Sequence, residues 1–328
     1  MAKIKHSKGL MVEETVIDAS VTSLKKKNFI ITHAHSDHAK ISSSKEKTFF
    51  LTPETKALIE TRNKKEFNSS EIPFGKKFSL DGKEFEFFFS GHILGSSQIK
   101  VNSGEIVFTS DFRLSDSVLF EGAKVLQAET LVIESTYGKP EFVFPKRKQI
   151  YEQIEAWGRK ELKENNLLVL GGYSIGKAQE LTKISNAFFN EVPLVHQTVF
   201  GPNNVYKEKG VKLGKFELLN HNLKEFNVLI IPPHLLNLDL IHAIEISSGR
   251  KVSPAVFSGW NSFAGAKTFP LSDHADFNDL LKYVEFSGAK NVLTHHGFAK
   301  EFASFIKRRL GINARALSED SQSSLLDF

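Results

Sequence analysis

The stretch Ile30-Ile31-Thr32-His33-Ala34-His35-Ser36-Asp37-His38 ends an apolar run with three imidazoles and a carboxylate inside six residues. Residues two apart share a face in extended backbone, so His33 and His35 can reach one cation together. Asp37 and His38, at the start of the next turn, can reach a neighbouring one. Imidazole and carboxylate without thiolate suit zinc, with manganese or iron as other ions such donors accept. More donors stand at the ends of other apolar runs. His92 follows the Phe-rich run Glu84 to Phe89, in Ser90-Gly91-His92, where the glycine admits close backbone approach. Asp111 follows Ile106-Val107-Phe108-Thr109-Ser110, and a carboxylate there can bridge two cations. His296 closes a late strand in Thr294-His295-His296-Gly297. Each alone reads as readily as a structural polar residue; beside the HAHSDH run they read as donors to a two-metal site.

The chain around this constellation is 328 residues long, enough for two structural units or one large one. It has no cysteine, which excludes disulfides and thiolate metal sites. Its longest apolar runs, such as Leu167 to Leu170 and Val228 to Ile231, fall far short of the ~20 residues of a spanning helix. MAKIKHSKGL has no hydrophobic signal core, so the expectation is a soluble, cytoplasmic protein with no membrane partner. Forty-three Lys and Arg against 38 Asp and Glu leave a net charge of +5, a mild bias toward a polyanionic partner.

Strand-like runs at Leu10 to Ala19, Asn28 to Thr32, Thr48 to Leu51, Glu84 to Phe89, Ser97 to Val101, Glu105 to Thr109 and Leu131 to Glu134 fill the first part of the chain. Pro53 starts a short helix, with Thr52 as its cap. Past Pro145 the texture becomes αβ alternation: helices at Lys146 to Glu164 and Lys177 to Phe189 flank a strand at Leu167 to Leu170. From Val252 the strand-and-turn texture resumes, with helices at Phe277 to Phe286 and Lys300 to Leu310 around a strand at Asn291 to Thr294. This predicts a smaller α/β insertion at 143–252 inside a discontinuous catalytic domain, 1–142 and 253–317, followed by a tail at 318–328.

HAHSDH, with Asp18 upstream and His92, Asp111 and His296 downstream, resembles the metallo-β-lactamase superfamily over nearly the whole chain. Ile133-Glu134-Ser135-Thr136-Tyr137-Gly138, Ser272-Asp273-His274-Ala275-Asp276 and His296-Gly297 are similar to the three extra motifs of its β-CASP nucleic-acid-processing branch. Within that branch, Gly171 to Gln179 and Ser258-Gly259-Trp260 resemble the ligase-associated DNA-damage-response exonucleases, also labelled mRNA 3′-end-processing-like. The resemblance implies an α/β fold, the αββα metallo-β-lactamase sandwich, with an inserted β-CASP-like cap. It further implies two Zn2+: His33, His35 and His92 on one, Asp37, His38 and His296 on the other, Asp111 bridging, and Asp18 orienting the HAHSDH loop. Asp37 would also serve catalysis. Glu134 and His274 would be the catalytic pair, His274 near the leaving oxygen and Glu134 fixing its tautomer. Two adjacent histidines stand where the family pattern has one; His296 directly precedes Gly297 and is the expected ligand, with His295 facing the opposite way.

The loop Gly171-Gly172-Tyr173-Ser174-Ile175-Gly176-Lys177-Ala178 fits G-x-x-x-x-G-K but has Ala178 where a magnesium-binding hydroxyl belongs. A tight turn into a helix and a nucleotide site are both open readings. The preferred one is a grip on a backbone phosphate by Ser174, Gly176 and Lys177, with Ser258 as a further substrate contact. The end, Gln322-Ser323-Ser324-Leu325-Leu326-Asp327-Phe328, resembles a sliding-clamp (PCNA) interacting peptide, with Gln322, Leu325 and Phe328 as its contacts. The competing reading is a terminal strand or turn packed on its own domain.

The expected function is a two-zinc nuclease, an exonuclease, hydrolysing DNA phosphodiesters in repair or replication by a metal-bridging hydroxide, with His274 and Glu134 assisting the leaving group. Three alternatives remain: an RNA-processing nuclease of the same branch, a small-molecule (thio)ester or lactam hydrolase, and a non-catalytic clamp-tethered binding protein.

Overall fold

A computed structural model describes residues 4–6, 10–12, 14–18, 26–41, 46–219, 223–260, 265–317 and 322–323. The chain divides into two compact units: Met1–Ser115 with Gly122–Val143 and His274–Phe328, and Asp116–Glu121 with Phe144–Asp273.

The larger unit holds two seven-stranded sheets. The first runs in spatial order Gln322–Ser323, Ile4–His6, Leu10–Val12, Thr15–Ile17, Asn28–Ile30, Thr48–Leu51, Ser69–Glu71. The second runs Asn313–Ala316, Asn291–His295, Thr130–Glu134, Ile106–Phe108, Ser97–Val101, Lys83–Phe89, Lys77–Leu80. Side-chain alternation explains why the second sheet's inner strands are apolar throughout. Phe108, Val132 and Leu293 join Ile17, Ile30, Phe85 and Phe87 in the core shared with the first sheet. Their neighbours Val107, Leu131, Ile133 and Val292 face the other way, onto Phe277, Leu280 and Val284 of the helix Phe277–Ser287 and onto Phe302 and Ile306 of the helix Ala299–Leu310. A strand covered on both faces needs such a continuous run.

The smaller unit is built on a six-stranded sheet in the order Glu217–Leu218, Leu194–Val195, Val228–Ile231, Leu167–Gly171, Val252–Phe257, Lys267–Phe269, every pairing parallel. One face packs Leu168, Leu170 and Ile230 on Ile154, Leu181 and Ile184. The other packs Val169, Leu229 and Val256 on Ile241 and Ile244.

The end of the insertion differs from the sequence expectation. Residues 253–273 were expected with the catalytic domain, but Val252–Phe257 pairs directly with Leu167–Gly171, and Lys267–Phe269 extends the same sheet. A parallel strand's partner is distant in sequence, so local texture does not announce it. No helix among the described residues is long and apolar enough to cross a membrane.

Candidate metal centre

Strand ends and strained turns build the site in the larger unit. Thr15–Ile17 and Asn28–Ile30 lie parallel, and where they end Asp18 takes a left-handed conformation (φ 51°) with its N–H donating to the Ile30 carbonyl at 3.0 Å. That turn aims the Asp18 carboxylate along the next segment. Oδ1 accepts from the Thr32 N–H at 2.8 Å, and Oδ2 accepts from Thr32 Oγ1 at 2.6 Å and lies 2.9 Å from His38 Nδ1. A carboxylate only accepts, so the His38 hydrogen sits on Nδ1. Nε2 is then left 3.3 Å from Asp111 Oδ2.

The same reasoning assigns His33. Thr32 Oγ1 gives its one proton to Asp18 and so accepts at 3.0 Å from His33 Nδ1–H. Ser110, also left-handed (φ 52°), donates to Thr32 Oγ1 at 2.6 Å and braces this chain of bonds. His33 Nε2 is thereby freed toward Asp111 Oδ2, 3.5 Å away. His35 Nδ1 lies 3.1 Å from His92 Nε2, and His92 Nε2 lies 3.8 Å from Asp111 Oδ2. Gly91 places His92: it has φ 73°, and a Cβ there would run into the Arg113 carbonyl oxygen. On the far side of Asp111, His296 Nδ1 is 3.9 Å from Oδ1, with its own backbone left-handed (φ 59°) and its carbonyl accepting from Ser135 Oγ at 2.7 Å. His295 is turned away onto the Phe108 ring.

Charge in the cluster is strongly coupled. Burial, and then the charge of His38, hold the His33 imidazole well below its ordinary value. Burial also opposes charge on His38, but Asp111 and Asp18 outweigh it and hold that imidazole well above the usual range. Burial works against the Asp111 carboxylate too, yet His38 and His274 keep it well below the usual carboxylate range.

His274 and Glu134 meet beside this cluster. His274 Nδ1 is 3.1 Å from both Glu134 oxygens. Glu134 is fully buried at the end of Thr130–Glu134, and its oxygens also accept from the Phe112 N–H at 2.9 Å and from Thr136 Oγ1 at 2.5 Å. His274 is 25% exposed, its ring 4.7 Å from that of His92.

Donor chemistry tests whether a metal fits. His33 Nε2 and Asp111 Oδ1 are buried without a hydrogen-bond partner, which is costly unless a cation satisfies them. Ligand atoms of His33, His35, His92 and Asp111 lie within 4.8 Å of one another; so do those of His38, Asp111 and His296, and those of Asp111, Glu134 and His274. Asp18, His33 and His38 form a fourth such group. The residues fit divalent cations, with Asp111 common to three of the four groups found among the described residues. Asp37 is the exception among the expected ligands: its side chain is 77% exposed, with Oδ2 3.7 Å from His38 Nε2, and it falls in none of these groups.

Comparison with known proteins agrees with this geometry. The chain is 30% identical over 98% of its length to a protein named "Probable DNA ligase" from Opitutus terrae. It is 29% identical over 84% of its length to the mouse "5' exonuclease Apollo", and 25% identical over 60% to an "RNase J-like protein" from Methanocaldococcus jannaschii. The likeness to these relatives matches the branch that the motifs resemble, the β-CASP branch of the metallo-β-lactamase superfamily. It spans 32% of the first of these relatives and 52% of each of the other two. A crystal structure of a protein of unknown function from Enterococcus faecalis shares the fold across 99% of the chain, with a TM-score of 0.67 at 11% identity. No family model matches.

Other residues that this family resemblance singled out lie elsewhere. Lys177 departs most from its expected surroundings. Its ammonium does not face solvent; it is buried at 2% exposure, 2.7 Å from Glu180 Oε2 and 2.7 Å from Asp273 Oδ1. Two of its three N–H donors are thereby taken by carboxylates. Gly176 is left-handed (φ 97°) and donates its N–H to Gln179 Oε1, as in a tight turn into the helix Lys177–Ile184. Ser174 Oγ lies 3.0 Å from Thr198 Oγ1, and Ser258 Oγ accepts from the Trp260 N–H. At the chain end, Gln322–Ser323 pairs antiparallel with Ile4–His6, a strand pairing of the kind the competing reading named; Leu325 and Phe328 lie outside the described residues. Sequence pattern does not single out Thr32, Ser110 or Thr136, whose hydroxyls orient the donors. Their one common signal is a small hydroxyl residue within two positions of a ligand or an acid at a strand end.

Proposed function

We propose that the chain is a zinc-dependent nuclease that removes nucleotides from DNA by hydrolysing phosphodiester bonds. The observation that supports this most is that one buried carboxylate, Asp111, belongs both to the histidine clusters and to the Glu134–His274 group. In this reading His33, His35 and His92 hold one ion and His38 and His296 the other. Asp111 would contribute to both, and Asp37 would complete the second. Divalent ions bound there would neutralise the phosphodiester anion and lower the pKa of water at the site.

The chain's own residues supply the rest. Glu134 takes the Nδ1 hydrogen of His274, so Nε2 is the ring atom that meets the substrate and, when protonated, hands a proton to the departing oxygen. Phe112 and Thr136 hold Glu134 in place, so it orients His274. Residues 144–273 form the β-CASP cap. Preference for DNA is supported by the likeness to the Opitutus protein, whose printed name is that of a DNA ligase, and the exonuclease mode by the likeness to Apollo. The relative named RNase J-like supports RNA as the second reading.

The test is a side-by-side assay of zinc-loaded protein on end-labelled single-stranded DNA, RNA of the same sequence, a thioester and a lactam. The reading expects one-nucleotide steps on DNA and slower loss of RNA. Faster RNA cleavage would move the substrate to RNA. Turnover of the thioester or lactam alone, or of nothing, would leave the hydrolase or the non-catalytic binder.

A further inference from the structure

Buried charge is concentrated at one place in the smaller unit. Arg147, at the start of the helix Arg147–Lys163, forks onto both oxygens of Glu180 at 2.5 and 2.6 Å. Its Nε donates to Tyr151 Oη at 2.8 Å, and its Nη1 donates to the Ser272 carbonyl at 2.6 Å. Lys177 Nζ bridges Glu180 and Asp273, and Arg147 Nη2 stands 3.6 Å from the same Asp273 carboxylate. Tyr151 Oη donates to Glu180 and accepts from the Val118 N–H at 3.1 Å. Every member is 14% exposed or less where its side chain joins an ion pair.

Two cations and two carboxylates cancel one another, so the cluster does not bind a substrate anion. Desolvating four charges is costly, and a hydrophobic replacement often serves stability as well. What the cluster does achieve is to fix a backbone segment. It holds Ser272 by its carbonyl and Asp273 by its side chain, and the next residue in the chain is His274. On the other side of His274, Ala275 N–H donates to the Phe112 carbonyl at 2.7 Å, and Phe112 N–H donates to Glu134. His274 therefore sits between two anchored residues, one held by ions and one by the backbone that also holds its carboxylate partner.

We propose that Arg147, Lys177, Glu180 and Asp273 are positioning residues for His274, an ionic clamp that sets where the proton-donating imidazole stands. The proposal rests on the nuclease reading and on His274 serving the leaving oxygen. Misplacing a catalytic group by about 1 Å can cost ~10²-fold in rate. The cost is confined to substrates whose leaving group needs a proton.

That restriction supplies the test. Wild type, Lys177→Met, Lys177→Arg, the paired Lys177→Met/Glu180→Gln and Ile154→Val are assayed on DNA and on the p-nitrophenyl ester of thymidine 5′-phosphate, whose leaving group departs without a proton. Ile154→Val loosens the same unit's core and reports general damage, with Tm measured for all. We expect Lys177→Met and the paired variant to lose ~10–100-fold in kcat on DNA with KM nearly unchanged, and to keep the ester rate within about threefold. Lys177→Arg should recover most of the DNA rate. Equal loss on both substrates, loss matched by Ile154→Val at equal Tm, or full DNA activity in the paired variant would overturn the clamp. A wild type that cleaves neither substrate would instead remove the nuclease reading beneath it.

Discussion

Asp18 shows how much one side chain settles. Its strained backbone aims a carboxylate that fixes the tautomer of His38 directly and that of His33 through Thr32. Asp18→Ala should keep the fold but weaken metal binding by ~10–100-fold, read by competition with a chelator. At the proposed catalytic pair, Glu134→Gln replaces an acceptor-only group by an amide that can present a donor to Nδ1. We expect kcat on DNA to fall ~10²-fold or more, with metal content by elemental analysis unchanged. The residues themselves were legible because imidazoles and carboxylates at strand ends are chemically conspicuous. The partners of Lys177 were not legible, and the reason is physical. A glycine-lysine turn looks alike whether its ammonium faces a phosphate or a buried carboxylate. The carboxylate that decides, Asp273, is 96 residues away.

Elements set the donors in place, and their turns carry the strain. Gly91→Ala would force a Cβ into the Arg113 carbonyl at a positive φ, so denaturant unfolding should show a loss of about 2 kcal/mol or more. The helix Phe277–Ser287, which begins just past His274, carries a different signature. Asp276 caps it by accepting from the Asp279 N–H, and burial, followed by the charge of Asp276, pushes the Asp279 carboxyl up to about 6. An unfolded Asp ionises near 3.9, so between about pH 4 and 6 the folded state holds a proton the unfolded state has lost. Stability from this group is therefore complete below about pH 4 and is lost as the pH rises through about 6. Asp279→Asn should flatten that limb and gain about 1–2 kcal/mol at pH 7, solvent screening of the half-buried group included. Among elements, the Phe-rich strand Lys83–Phe89 and the apolar run Ile106–Phe108 were evident from composition alone. Val252–Phe257 was also recognisable as a strand, but its sheet was not, because parallel neighbours are joined only through long crossovers.

The whole molecule brings together donors from residue 33 to residue 296, although no local pattern states that they meet. The two sheets of the larger unit achieve this by ending their strands at one edge, where Asp18, His33, Asp111, Glu134 and His296 all fall. A cluster of buried imidazoles around a buried carboxylate should gain stability from a bound cation. Stripping the metal should lower Tm by several degrees, and zinc should restore it. Asp111 is proposed to join metal binding to phosphodiester cleavage, and a zinc titration tests this most simply. Wild type and Asp111→Asn are freed of metal, titrated with zinc, and followed for bound metal and cleavage of end-labelled single-stranded DNA in the same samples. On this proposal, wild type binds two zinc ions per chain and cleaves only as they bind, while Asp111→Asn fails to fill the site and is inactive. Cleavage by metal-free wild type, or undiminished cleavage by Asp111→Asn, would contradict it.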